Sequence, residues 1–310
     1  MTNKTKKTTN SRRIILIFAI VLIAIIMSIA MLQTKKQPAP TSDKIHIVAA
    51  ENFWGNIIEQ IGGEHVDVAS IISEPGADPH LYESGARDAS RLAEADIVIL
   101  NGAHYDDFMP KLLSASKSDS RQVINVADVL KTDASANPHL WYDAPRIATV
   151  AAAFESALAK KDPSNAGIYA ANLNVFNRSL GSLLNTISQI RVTHPSAPVA
   201  YTERVPEYLL AAAGLTVKTP AGFSSAIEEG NDPSPAATAE FEKLIANRQI
   251  KALIYNSQAT SSVTEHIRQL AEQHHVPVVG MSETMPKNAA SYQAWQLDQA
   301  KALLKALESN

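Results

Sequence analysis

Two histidines of this 310-residue chain stand in nearly the same setting, His80 in "ADPHLYE" and His139 in "ANPHLWYD". In each case proline fixes its own φ near −65° and drives the preceding residue into an extended conformation. Asp78 and Asn137 therefore open stiff turns, and each imidazole is carried on a connection that has little entropy to lose on binding an ion. The sequels also match, with Tyr82 and Glu83 after one and Trp141 and Asp143 after the other. Two glutamates supply a complementary pair. Glu203 follows the β-rich run "PVAYT", and Glu283 follows "VPVVG" in "GMSETMP". Both stand just beyond a strand signal, where open α/β sheets bind their ligands. Two neutral imidazoles and two carboxylates make a four-ligand site for a divalent cation. Its formal charge is near zero, which limits the cost of burying the ion.

The other histidines are less informative. His46 and His65 sit in or beside strand signals, and His266, His274 and His275 lie on or at the end of a helical pattern, where an imidazolium suits the dipole. His194 is in a loop before proline. His104, in "NGAHYDDF", is either an accessory ligand or a surface loop residue.

Composition narrows the chemistry. With no cysteine, the chain can form no disulfide, thiolate metal site or cysteine nucleophile, and no lipid can be attached through a thiol. The net charge of −3, without basic runs interleaved with aromatics beyond the N-terminus, argues against nucleic acid as a partner. No HExxH, GxSxG, Walker A or strand-linked GxGxxG motif is present, so no enzyme class is indicated.

These residues need elements to hold them. Short apolar β-rich runs at 45–49, 66–72, 96–100 and 122–126 alternate with helical patterns such as 53–61 and 86–95. A second series follows at 198–202, 215–218, 251–255 and 276–280, with helices near 204–213, 234–248, 261–274 and 288–307. Such alternation predicts an α/β fold of two lobes, each a mostly parallel sheet flanked by helices. Between them Leu173, Phe176, Leu180, Leu183, Leu184, Ile187 and Ile190 recur at helical spacing. A helix from about 166 to 190 would measure roughly 37 Å, long enough to join both lobes. The expected divisions are 1–43, 44–165 for the first lobe, 166–193 for the connecting helix and 194–310 for the second lobe.

The N-terminus carries its own signal. Lys4, Lys6, Lys7, Arg12 and Arg13 precede an uncharged run from Ile14 to Leu32, and the polar linker 33–43 follows it. At ~1.5 Å per residue that run spans about 28 Å, close to a bilayer's hydrocarbon thickness. An uncleaved anchor is expected, with a cleavable signal peptide as the competing reading through Ser28 and Ala30. Either places the globular part outside the cytoplasmic membrane.

Taken together, "DPHLYE", "NVADVL" ahead of "NPHLWYD", "YTERVPEYLLAAAGL", "GNDPSPAATAEFEKLI" and "SETMP" resemble the metal-specific solute-binding proteins of ABC importers, the zinc/manganese group called cluster 9 or cluster A-I. The resemblance covers about 45–308. It implies two lobes joined by a long backbone helix, with the metal between them. It further implies His80 and His139 as the first two ligands, Glu203 at the third position and Glu283 at the fourth. The third is histidine in many zinc binders and glutamate in many manganese binders, and the fourth is usually aspartate. The implied cargo is Zn²⁺ or Mn²⁺, and the implied partner is an ABC permease in the cytoplasmic membrane. Two departures stand out: "KTDASANPH" is not the His/Asp-rich loop of many zinc importers, and without a lipidated cysteine the 14–32 segment would tether the protein. Two further readings stay open, a secreted metal-dependent hydrolase with Glu83 or Asp143 as base, and a surface adhesin stabilised by metal.

Overall fold

The computed structural model describes residues 44–74, 82 and 84–309. His80, Glu83 and the 14–32 segment lie outside them. Among the described residues no helix is long and apolar enough to cross a membrane.

Lys44–Asn310 forms one compact unit built on two sheets. Strands β1 (Ile45–Glu51), β2 (Val66–Ile72), β3 (Ile97–Leu100) and β4 (Gln122–Asn125) pair in the order β2-β1-β3-β4, all parallel. Strands β5 (Pro198–Tyr201), β6 (Thr216–Val217), β7 (Ala252–Asn256) and β8 (Val278–Met281) repeat the arrangement as β6-β5-β7-β8. In each sheet the order reverses beside the first strand. That leaves a crevice at the carboxyl ends of β1 and β3, and another at those of β5 and β7.

Both faces of each sheet are buried, as parallel strands require. Ile45, Ile47 and Ala49 of β1 and Ile97 and Ile99 of β3 face one core, while Val48, Ala50, Val98 and Leu100 face another. In the second sheet Val199, Tyr201, Ala252 and Ile254 face that same first core, and Ala200 and Leu253 face a third. A single inner layer, drawn from helices 52–62, 147–161, 166–193 and 292–308, thus packs against both sheets. The outer layers are separate: helices 86–94 and 108–115 cover one sheet, and 221–228, 235–246 and 262–273 the other. Three helices of the second half start where serine accepts a backbone N–H: Ser234 from Ala237, Ser261 from Thr264 and Ser291 from Ala294.

The span expected as one connecting helix is two, Ala166–Ser179 and Gly181–Thr193, meeting at Leu180. The local cause is chemical. Ser179 Oγ donates to the Phe176 carbonyl at 2.6 Å, the same oxygen that the Leu180 N–H reaches at a stretched 3.3 Å. Such competition bends helices, and the following glycine adds little to hold the axis straight. Leu180 itself stays near helical dihedrals (φ −69°, ψ −16°), so the run is jointed rather than broken.

Helix 52–62 lies tight against β2. A Cβ at Gly62 would meet Val66 Cγ1 at 2.2 Å and its Cβ at 3.0 Å, and a β-branched side chain has few rotamers to retreat into. Gly62→Ala is therefore expected to destabilise the fold by about 1–3 kcal/mol, read as a lower midpoint in denaturant; an unchanged or raised midpoint would contradict this packing.

Candidate metal site

His139 is held on every side before any ion is considered. Its loop is fastened at Pro138, whose carbonyl accepts from Asn101 Nδ2 at 2.9 Å, and at Asn137, whose carbonyl accepts from Tyr208 Oη at 2.8 Å. Asn101 follows β3 and also accepts from Trp54 Nε1 at 3.2 Å, so the first sheet's crevice sets the loop's height. The ring is buried, edge-on to Tyr105 and Trp141, with Trp141 stacked on Phe53.

The tautomer follows from Asn137. Asn137 Nδ2 donates to Arg204 O at 2.8 Å and Glu207 Oε2 at 2.7 Å, which fixes which end of the amide is oxygen. That oxygen accepts from the His139 backbone N–H at 3.0 Å and lies 2.6 Å from Nδ1. Nδ1 therefore carries the proton, and Nε2 presents a lone pair. This is the arrangement in which a partner beyond the metal orients an imidazole ligand.

Nε2 faces Glu283 Oε1 at 3.6 Å. A lone pair and a carboxylate oxygen so placed repel unless a proton or a metal cation lies between them. Nitrogen and oxygen donors each at about 2.1 Å from one tetrahedral ion stand about 3.4 Å apart, close to that gap. Tyr105 Oη donates to the same Glu283 oxygen at 2.9 Å. Asn256 Nδ2, at the end of β7, donates to Glu203 Oε2 at 2.7 Å and Glu283 Oε2 at 3.3 Å, using its two hydrogens to bring both glutamates to one place. Glu203, two residues past β5, is buried. The second sheet's crevice thus supplies two carboxylates and the amide that joins them. A cavity of about 300 Å³ opens beside Glu203, lined also by Asn231, Asp232, Gln258 and Ser261.

The structure brings together His139, Glu203 and Glu283, while His80 lies outside the described residues. Among the described residues no three His, Cys, Asp or Glu side chains already stand in ligating geometry. His104 is exposed, its Nδ1 3.3 Å from Asp107 Oδ1. Asp143 is tied to Arg146 Nε at 2.5 Å. Arg204 is paired at 2.7 Å with Glu228, which itself lies 3.9 Å from His139 Nδ1.

A family model described as "ZnuA: Zinc-uptake complex component A periplasmic" matches residues 47–306. The chain belongs to this family. Among curated relatives it is 24% identical over 249 residues to the manganese-binding lipoprotein MntA of Bacillus subtilis, covering 76% of this chain and 79% of that one. It is 26% identical over 161 residues to the manganese ABC transporter substrate-binding lipoprotein PsaA of Streptococcus pneumoniae, covering 48% of this chain and 52% of that one. The chain thus spans only about half the length of that relative, as it does for the MntA of Halalkalibacterium halodurans at 51%. Of solved structures, the periplasmic zinc-binding protein TroA from Treponema pallidum superposes with a TM-score of 0.73 at 22% identity, covering 85% of this chain and 99% of that one. FpvC from Pseudomonas aeruginosa in complex with Mn²⁺ gives 0.72 at 22% identity, covering 86% and 99%. These likenesses establish the fold; the site rests on the family and on the geometry above.

Sequence reasoning missed the amides. Asn137 reads as a turn residue before proline, and Asn256 and Gln258 lie just beyond the expected strand 251–255; the one available signal was Asn256 at the carboxyl end of an otherwise apolar run. It missed a second buried group as well. Glu51, ending β1, is fully buried, and that burial, reinforced by the charge of Asp106, holds its carboxyl well above the usual range. Burial pushes Asp106 up to about 6, although the N–H groups of Gly102 and Asn101 pull the other way. Both groups bind protons more tightly folded than unfolded. Their contribution to stability is complete below about pH 4 and is lost as pH rises through about 6 and beyond. The melting temperature is expected to fall from pH 5 to pH 8 less steeply in Glu51→Gln than in wild type; parallel profiles would remove this pair as the cause.

A separate prediction concerns orientation. Asn137→Ala frees the His139 ring to rotate and change tautomer, and metal affinity is expected to drop about 10–100-fold in titration calorimetry. Equal affinity in the alanine variant would show that the amide does not orient the ligand.

Proposed function

We propose that this chain is the extracytoplasmic solute-binding component of an ABC importer, capturing Zn²⁺ or Mn²⁺ through His80, His139, Glu203 and Glu283 and passing it to a membrane permease. The observation that carries the reading is the facing of His139 Nε2 and Glu283 Oε1 at 3.6 Å, with Glu203 joined to Glu283 by one amide. The family supports a binding rather than a catalytic role. So does the pairing of Asp143, one of the two bases open to the hydrolase reading, with Arg146. The lobes would be the segments 44–165 and 194–310 on either side of the jointed helix 166–193, with 14–32 holding the protein at the outer face of the membrane in place of a lipid.

In this reading the ion is cargo, bound by neutral imidazoles and released as they protonate in acid. Calorimetry on metal-stripped protein tests it directly. Wild type should bind one equivalent of Zn²⁺ or Mn²⁺, and both His80→Ala and His139→Ala should lose high-affinity binding while keeping a cooperative melt. Unchanged affinity in His139→Ala would sink the assignment, and turnover of ester or phosphate substrates by the loaded protein would move it to the hydrolase.

A further inference from the structure

The segment 282–285 carries Glu283, and each of its four backbone N–H groups is accepted by a side-chain carboxamide. Ser282 N–H donates to Gln299 Oε1 at 2.8 Å, and the N–H groups of Glu283 and Thr284 both donate to Gln258 Oε1 at 2.8 Å. Those two glutamines belong to the same half as Glu283. The fourth, Met285 N–H, donates to Asn52 Oδ1 at 3.1 Å, and Asn52 opens helix 52–62 at the end of β1 in the first half. Asn52 Nδ2 in turn donates to the Met285 carbonyl at 2.7 Å. One short amide therefore takes both polar groups of a single residue, as a neighbouring strand would. Asparagine offers a donor and an acceptor on two separate atoms at the end of a short stalk.

The same helix face continues the contact between halves away from the site. Asn56 Oδ1 accepts from the Tyr292 N–H at 2.8 Å, and the amides of Gln60 and Gln293 exchange hydrogen bonds at 3.1 and 2.7 Å. Residues 52, 56 and 60 recur every four positions and form one stripe. Of the three, Asn52 is the one that grips the segment bearing Glu283.

We propose that Asn52 is a positioning residue for Glu283: from across the cleft it fixes the backbone on which this ligand is mounted, and so sets how slowly bound metal leaves. The inference rests on Glu283 being a ligand, as argued above. Met285 is two residues past Glu283. With Asn52 removed, that end of the segment loses its amide hold on the first half, leaving Tyr142 Oη on the Ser282 carbonyl and Tyr105 Oη on the carboxylate, and the carboxylate gains freedom to swing off the ion without the sheets separating.

The test is the rate at which a chelator strips Mn²⁺ or Zn²⁺ from the loaded full-length protein in stopped flow, with affinities and metal-free melting curves alongside. Asn52→Ala should release metal about tenfold faster or more, as expected for two lost hydrogen bonds, with little change in association rate and with a metal-free melting point lowered no further than in Gln60→Ala, which also loses two between the halves. Asn52→Leu keeps the volume and loses both hydrogen bonds without adding charge, so it should release metal about as fast as the alanine variant; it carries the test if the alanine variant does not fold. Gln60→Ala loosens the same helix face away from the ligand and should stay within about twofold of wild type. Unchanged release in a folded Asn52 variant overturns the inference alone, and equal acceleration in Gln60→Ala overturns it in favour of general docking of the halves. Wild type that binds neither ion overturns the functional reading itself.

Discussion

A cation held between two sheets demands that the sheets keep their spacing, and here one apolar core spans both. Ile47 and Ile99 from the first sheet and Val199 and Ile254 from the second reach into the same inner layer, where Phe53, Trp141 and Trp295 lie among the helices. Packed interiors are close to crystalline in density, so two sheets sharing one interior cannot slide apart without opening cavities throughout it. The crevices at their carboxyl ends are thereby fixed in relation to each other. Large lobe movements are disfavoured, and changes at the site fall to the loops and side chains mounted on the frame.

What sits on that frame is positioned mostly by uncharged amides. Asn137 orients His139, Asn256 joins Glu203 to Glu283, Asn101 holds Pro138, and Gln258 and Gln299 hold the backbone at Glu283. The choice has an electrostatic reason. A lysine or arginine could grip the same carboxylates, but its charge would cancel the field that attracts the cation and compete for the ligand oxygens. An amide supplies donor and acceptor without net charge. Arg204, the nearby exception, is neutralised by Glu228.

The fold was legible because burial on both faces leaves a signature that a sequence displays. Runs such as "IHIVA" and "DIVIL" are mostly apolar, and the observed strands fall within about two residues of the expected ends. The joint at Leu180 was not legible, since it turns on the rotamer by which Ser179 reaches Phe176. The same distinction applies at the site. Glu203 and Glu283 stood out because they come just past strand signals, where open α/β sheets bind ligands, and His139 because "NPH" marks a stiff turn that nearly repeats "DPH". Asn256, Gln258 and Asn52 did not, because asparagine and glutamine are ordinary on any surface and gain meaning only from what they face. Glu51 and Asp106 were hidden for the opposite reason: nothing in "AAENFW" or "HYDDF" distinguishes a carboxyl that folding will bury from one it will expose.

Zinc outcompetes manganese at a given set of nitrogen and oxygen donors, so any preference for the larger, weaker ion must come from geometry. The backbone at Glu283 is gripped at four consecutive N–H groups, and Glu203 is buried beside a bridging amide. With both backbones fixed, the freedom that remains lies in the glutamate side chains. A glutamate has one more methylene than the aspartate usual at the fourth position, and it can bind through one oxygen or two by turning its terminal torsion. Four single contacts give the tetrahedral shell that suits zinc, and two bidentate carboxylates raise the count to six, which suits manganese. In the proposed site, selection between ions would then be decided by whether Asn256, which holds one oxygen of each glutamate, lets go of either.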